Sequence, residues 1–221
     1  MSTSSMSRRL SQKTILITGA SSGIGRSTAL EFARTAPDCR LIVTARRVAA
    51  LAELKSCIEK EFPGVSVLVY KLDVSNQNEV SGIVEKLPPG WREVDVLVNN
   101  AGLVKGVDQV GSISPTDIAD MINTNIVGLI SLTQEVLRSM LSRGGHGDIL
   151  NVGSIAGRDG YAGGSIYCAT KAAVRTFTEA LRKEMVSTRV RIMEIDPGQV
   201  ETEFSVVRFR GDKEKADTVY A

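Results

Sequence analysis

The stretch Thr14-Ile-Leu-Ile-Thr18-Gly-Ala-Ser-Ser-Gly-Ile-Gly25 couples a short β-branched apolar run to a glycine-rich turn. A helical pattern follows directly, with Ile24, Ala29, Leu30, Phe32 and Ala33 recurring at near-helical spacing. Strand, glycine turn and helix in that order form a unit with a physical use. Glycines let the backbone approach a pyrophosphate closely, and the N–H groups and dipole at the start of the following helix attract the anion. Gly19, Gly23 and Gly25 are therefore expected to cradle a phosphate-bearing ligand.

Further strands and helices alternate downstream. Arg40–Arg46 reads as a second strand, followed by a helical region 48–62. Strand ends carry information in such a chain. An acidic residue at the end of the second strand receives a ribose 2′-hydroxyl, whereas an arginine accommodates a 2′-phosphate. Here stand Arg46 and Arg47, which selects NADP over NAD, although a solvated basic pair capping the next helix is the plainer alternative. Val65–Leu72 is a third strand ending in Asp73-Val74, where Asp73 either meets an adenine amino group or caps a helix running from about Asn76 to Lys86. Val94–Val98 is a fourth strand, leading into Asn99-Asn-Ala-Gly102.

Pro115 opens a long helical pattern to about Ser142, with Asn125 and Gly128 in its middle. Both residues cost helix stability, so they mark either a purposeful kink or tolerated faults. Gly147–Ser154 is a fifth strand, a helix is expected over Tyr161–Met185, and Val190–Asp196 is a sixth strand followed by Pro197-Gly-Gln-Val-Glu-Thr202. Alternation of this kind implies βαβ crossovers, a parallel sheet with helices on both faces, and ligands bound outside the carboxyl ends of the strands. The singled-out features fall at that rim or on the helix just beyond it.

Tyr167 and Lys171 lie four positions apart and so project from one helix face. An ordinary phenol is a poor acid or base at neutral pH, and a neighbouring ammonium is expected to lower its pKa.

Taken together, these residues resemble the short-chain dehydrogenase/reductase family from about Lys13 to Thr202. Thr18–Gly25 is similar to its cofactor turn, Asn99–Gly102 to its structural motif, and Asn125, Ser154, Tyr167 and Lys171 to its catalytic tetrad. Pro197-Gly198 matches the turn that meets the nicotinamide. The resemblance implies an α/β Rossmann-type fold, NADP(H) as cofactor, and coenzyme contacts at Gly19, Ser21, Ser22, Gly23, Ile24, Gly25, Arg46 and Arg47. It extends those contacts to Asp73, Val74, Asn100, Ala101, Gly102, Tyr167, Lys171, Pro197, Gly198, Val200 and Thr202. In the implied mechanism Tyr167 exchanges the proton, Lys171 lowers its pKa and holds the ribose, Ser154 positions the substrate oxygen, and Asn125 kinks its helix and holds a relaying water.

The tail from Phe204 resembles the NADP-dependent 3-hydroxy acid dehydrogenases that act on serine or allo-threonine. Arg208 and Arg210 are then candidates to pair with a substrate carboxylate, with solvated loop arginines as the alternative. A broad carbonyl reductase, a 3-oxoacyl reductase and a non-catalytic NADP-binding regulator share most of these residues. Members of the family usually continue with a further helix and strand, so one sheet edge is expected to be incomplete.

Composition sets the outer bounds. The 221 residues suit one domain, with 43% apolar and 24% charged residues and a net charge of +2 that favours neither nucleic acid nor membrane. Cys39, Cys57 and Cys168 are odd in number and widely spaced, which argues against a disulfide framework or a zinc site and fits a reducing, cytoplasmic compartment. The single His146 sits in a glycine-rich stretch read as a loop. The expected organisation is a flexible segment over 1–12, a catalytic domain over 13–202 and a substrate-loop region over 203–221. The expected partners are a small hydroxy or carbonyl compound and further copies of the chain, as a dimer or tetramer.

Overall fold

In the computed structural model, which describes residues 5–218, the strands are β1 (Thr14–Thr18), β2 (Arg40–Ala45), β3 (Ser66–Lys71), β4 (Val96–Asn99), β5 (His146–Val152) and β6 (Arg189–Ile195). They form one parallel sheet in the order β3-β2-β1-β4-β5-β6. β6 pairs with β5 alone among the described residues. Strand order reverses between β1 and β4, which opens a crevice at their carboxyl ends.

Alternation along the strands builds two cores. Ile15, Ile17, Leu41 and Val43 face α2 (Gly23–Thr35) and α3 (Val48–Glu61), packing on Ala29, Ala33, Leu51, Leu54 and Ile58. Leu16, Ile42, Leu97 and Ile149 point the other way. They meet Leu132, Val136 and Met140 of α7 (Leu129–Ser142) and Leu181 of α8 (Ser165–Glu184). A strand buried on both faces needs an unbroken apolar run, and β1 is fully buried along its length.

Several local readings change in the folded chain. Part of the segment read as flexible is helical: α1 (Ser5–Leu10) buries Leu10 against the first core, while residues 1–4 lie outside the described residues. The single helix expected over 76–86 is two short ones, α4 (Gln77–Val80) and α5 (Ile83–Lys86), because Gly82 between them takes a left-handed φ of 64°. His146 is not in a loop. It opens β5 in register with Arg189 of β6, since sheet pairing overrides the local glycine signal. The helix expected from Tyr161 starts at Ser165, after a glycine-bearing turn. The tail holds two short helices, α9 (Glu203–Arg208) and α10 (Lys213–Asp217).

The pattern from Pro115 to Ser142 resolves the question left by Asn125 and Gly128. α6 (Pro115–Ile122) runs into a π-helical turn, Asn123–Gly128, before α7 begins. The extra residue in that turn aims the Asn125 side chain inward, and Gly128 lets the helix rest on the Val74 carbonyl, where any Cβ would collide. Deeper in the sheet, Asn99 Nδ2 donates to Thr133 Oγ1 (2.8 Å) and Asn151 Oδ1 (2.9 Å), and Asn151 Nδ2 donates to Thr178 Oγ1 (2.8 Å). This buried polar chain joins β4, β5, α7 and α8.

Candidate active site

A cavity of about 640 Å³ opens at the β1/β4 crevice, within the size range of small-molecule sites. Its floor is the glycine turn. Gly19 has a φ of 65°, and a Cβ there would stand 2.9 Å from Ala101 Cα. Gly25 does not line the cavity. It packs against the Gly19 carbonyl and the Asn100 amide, and a side chain would collide with both. Asn100 fastens the turn from the opposite strand, with its Nδ2 donating to Thr18 O (2.8 Å) and Gly19 O (3.3 Å). Thr18 Oγ1 accepts from the N–H groups of Asn100 and Ala101, both at 2.9 Å. These contacts leave a backbone cradle at a helix start, shaped for a diphosphate. The residues therefore fit a dinucleotide.

Ser21, Ser22, Gly23 and Ile24 line this end, as do Arg46 and Arg47 from the end of β2. Arg47 is already engaged: its Nη2 donates to Ser22 Oγ (2.9 Å), Ser21 Oγ (3.2 Å) and Glu203 Oε2 (2.7 Å). Asp73 and Val74 line the next stretch. Asp73 Oδ1 accepts from the N–H (3.0 Å) and hydroxyl (2.7 Å) of Ser75, and the cap of α4 is Asn76 instead. Ala101 and Gly102 form the wall between the two ends, and Pro197, Gly198, Val200 and Thr202 the wall after β6.

The far end brings together Ser154, Tyr167 and Lys171, three of the four residues expected to form a tetrad. Tyr167 and Lys171, from the first turns of α8, are both buried and both line the cavity. Lys171 Nζ donates to Val152 O (2.8 Å) and lies 5.9 Å from the centre of the Tyr167 ring. Ser154, two residues beyond β5, hydrogen-bonds Tyr167 through its side chain and also accepts from Ala156 N (3.1 Å). Asn125 stands behind the wall. Its Oδ1 accepts from Leu103 N (2.9 Å), and its Nδ2 donates to Leu103 O (2.8 Å) and Thr170 Oγ1 (3.0 Å). It thus staples the chain after β4 to the helix that bears Tyr167.

Electrostatics here differ from the expectation in one respect. The Tyr167 phenol is not lowered but pushed up to about 12, chiefly by burial, with the Ser154 hydrogen bond pulling the other way. Lys171 is pulled down to about 8 by burial, against the attraction of Glu194 and Asp196. Its ammonium is turned to the Val152 carbonyl, so loss of hydration governs the phenol. A neutral phenol beside a charged ammonium is the state at pH 7.

The two tail arginines part company. Arg208 lines the cavity, with its guanidinium 5.0 Å from the centre of the Tyr161 ring and its Nε buried without a hydrogen-bond partner. Arg210 does not line the cavity and pairs with Asp108 (3.3 Å) and Asp117 (3.0 Å), which leaves it outside the substrate contacts expected of it. Sequence reading put Thr18 at the start of the cofactor turn but gave no role to its hydroxyl, which braces the turn. It also missed Phe204, whose ring centre lies 5.7 Å from that of Tyr167. Their types carry no pattern that would single them out; only the strand pairing and the return of the tail bring them in.

The known proteins agree with this geometry. The sequence profile of the short chain dehydrogenase family matches residues 13–212. An NADP-dependent 3-hydroxy acid dehydrogenase of Schizosaccharomyces pombe is 55% identical over 212 residues, covering 96% of this chain and 81% of its own. The NADP-dependent 3-hydroxy acid dehydrogenase YdfG of Escherichia coli K12 is 42% identical over 207 residues, covering 93% and 80%. The closed form of a serine dehydrogenase complexed with NADP+ superposes with a TM-score of 0.87 at 41% identity, over 94% of this chain and 81% of that one. A glycine cradle at the switch point, a Ser–Tyr–Lys cluster at its far end and a profile match across nearly the whole length converge: the chain belongs to the short-chain dehydrogenase family.

Proposed function

We propose that this chain is an NADP(H)-dependent dehydrogenase acting on a small 3-hydroxy acid such as serine or allo-threonine. Relatives bearing that activity in their names support the reading, and so does the closed serine dehydrogenase. The observation that carries the substrate class is Arg208: a cation stacked on Tyr161, on the same cavity as Ser154 and Tyr167, with a buried donor left over. A hydroxy acid brings a carboxylate that such a donor satisfies.

Arg46 and Arg47 at the end of β2, with the hydroxyls of Ser21 and Ser22, are the groups we assign to the 2′-phosphate, and the glycine cradle to the diphosphate. When bound, the nicotinamide supplies or accepts the hydride. Ser154 holds the substrate oxygen beside the Tyr167 phenol. In reduction Tyr167 gives its proton to the oxygen that turns from carbonyl to hydroxyl, and in oxidation it takes that proton back. Lys171, charged at neutral pH, stabilises the phenolate left behind, and Asn125 keeps the far wall in place.

A substrate panel followed by NADPH absorbance tests this. Turnover should favour 3-hydroxy acids over neutral secondary alcohols, ketones and acyl thioesters. Arg208→Gln should cut kcat/KM for serine by about 10- to 100-fold, the worth of a hydrogen bond to a charged group, and leave a neutral alcohol nearly unaffected. Equal losses on both substrates would refute the assignment of Arg208. The same reading includes a cytoplasmic setting, supported by the unpaired Cys39, Cys57 and Cys168, and a dimer or tetramer to be tested by sedimentation.

A further inference from the structure

The segment after β6 crosses the mouth of the cavity and touches the glycine turn at two neighbouring points. Thr202 caps α9, its Oγ1 accepting from Phe204 N (3.2 Å), and its Cβ would lie 3.2 Å from a Cβ placed on Gly23. One residue on, the Glu203 carboxylate accepts from Arg47 Nη2 (2.7 Å) and also hydrogen-bonds Ser22. A guanidinium at the end of β2 and a serine hydroxyl in the glycine turn beside it are donors of the kind that a phosphate on the adenosine ribose requires. In this structure a carboxylate of the chain itself already occupies them. Carboxylate and phosphate present the same anionic oxygens to an arginine, so the two compete for Arg47 Nη2, which already serves three acceptors.

We propose that Glu203 is an internal competitor for the 2′-phosphate donors, so that coenzyme entry displaces it and Glu203 sets NADP(H) affinity. The inference rests on the NADP(H) reading above. Both side chains remain more than half exposed (54% for Arg47, 59% for Glu203), so the pair is an exchangeable surface ion pair and not a fixed strut. That suits a latch. It holds the start of α9 over the turn when the donors have no other anion, and it yields to a ligand that brings two charges. It also confines the effect to coenzymes with a 2′-phosphate.

The test is calorimetric binding of NADP+ and NAD+ to four full-length variants: Glu203→Gln, Glu201→Gln, Arg47→Gln and the Arg47→Gln/Glu203→Gln double. Glu201→Gln removes the same charge from an exposed position two residues earlier, without the Arg47 contact. Glu203→Gln should bind NADP+ about three- to fivefold tighter, the range open to a surface ion pair, with NAD+ unchanged. The gain should vanish in the double variant, and Glu201→Gln should stay within twofold of the parent. The latch is overturned if Glu203→Gln matches the parent, if Glu201→Gln gains as much, or if the gain persists without Arg47. If instead the parent binds NAD+ as tightly as NADP+ and Arg47→Gln alters neither, the NADP(H) reading falls and the latch falls with it. A parent that prefers NADP+, loses that preference with Arg47→Gln and ignores Glu203→Gln sinks the latch alone.

Discussion

Tyr167 and Lys171 were placed on one face by their spacing alone, but their protonation was not legible from it. Spacing reports direction, whereas burial decides which charge is tolerated, and burial depends on walls contributed by Leu103, Ala156 and Phe204 from elsewhere in the chain. With its phenol pushed up to about 12, Tyr167 keeps its proton across the physiological range. Tyr167→Phe should lower turnover by about 100-fold or more while leaving NADPH binding within severalfold, as fluorescence titration would report; undiminished turnover would remove Tyr167 from the mechanism.

Lys171 supplies a stability test. Its amine falls from an ordinary 10.5 to about 8 on folding, so below 8 the fold carries a buried ammonium that opposes it. Between 8 and 10.5 the unfolded chain holds a proton that the folded chain has released, and this group's contribution to stability therefore rises with pH. Lys171→Met removes the burden but leaves the Val152 carbonyl without its donor, two effects of similar size. We expect a net gain of no more than about 2 kcal/mol at pH 7 that shrinks as pH climbs from 8 to 10.5. Thermal melts of both proteins across that window check it; a gap that widens with pH would contradict the assigned direction.

Among the elements, the helix interrupted at Asn123–Gly128 shows where a local reading stops. Asn125 and Gly128 were visible as poor helix formers, and the order strand–turn–helix was visible throughout. Whether they were faults was not, because the answer lies in the Val74 carbonyl and in Leu103, neither of them a sequence neighbour. Two effects of opposite sign meet in Gly128→Ala. Helix propensity favours alanine by about 1 kcal/mol. The collision with Val74 O, a backbone atom that cannot swing aside, costs about 1–3 kcal/mol. We expect the collision to win, lowering the urea midpoint and drawing the turn after β3 and the π-helical turn apart; a stabilised variant would show that the helix can shift freely. The split of 76–86 at Gly82 follows a related logic, since a lone glycine in a polar run does not announce a left-handed turn.

At the level of the whole molecule, the parallel sheet and the placement of its site were legible because alternation of strand and helix leaves few topologies. The course of the tail was not, and with it went the fate of Arg208 and Arg210: one returns to the cavity and the other ends among aspartates. The cavity couples ligand to fold. NADP+ at a hundred times its dissociation constant should stabilise the chain by about 2.7 kcal/mol, a rise in melting temperature of roughly 5–10 °C for a protein of this size. NAD+ at the same concentration should raise it less, and Arg46→Asp should narrow that difference; equal shifts by both coenzymes would argue against a 2′-phosphate site.

The amides of Asn99 and Asn151 never reach the cavity, yet they govern its dimensions. Sliding β5 by one residue against β4 would turn the Asn151 amide away from both Asn99 and Thr178 and leave it dehydrated and mute in hydrocarbon, a penalty larger than that of an apolar mismatch. The spacing between the strand that ends near Ser154 and the helix that carries Tyr167 is thus a quantised setting. Chemistry at the rim inherits its tolerance from a ruler buried well below it.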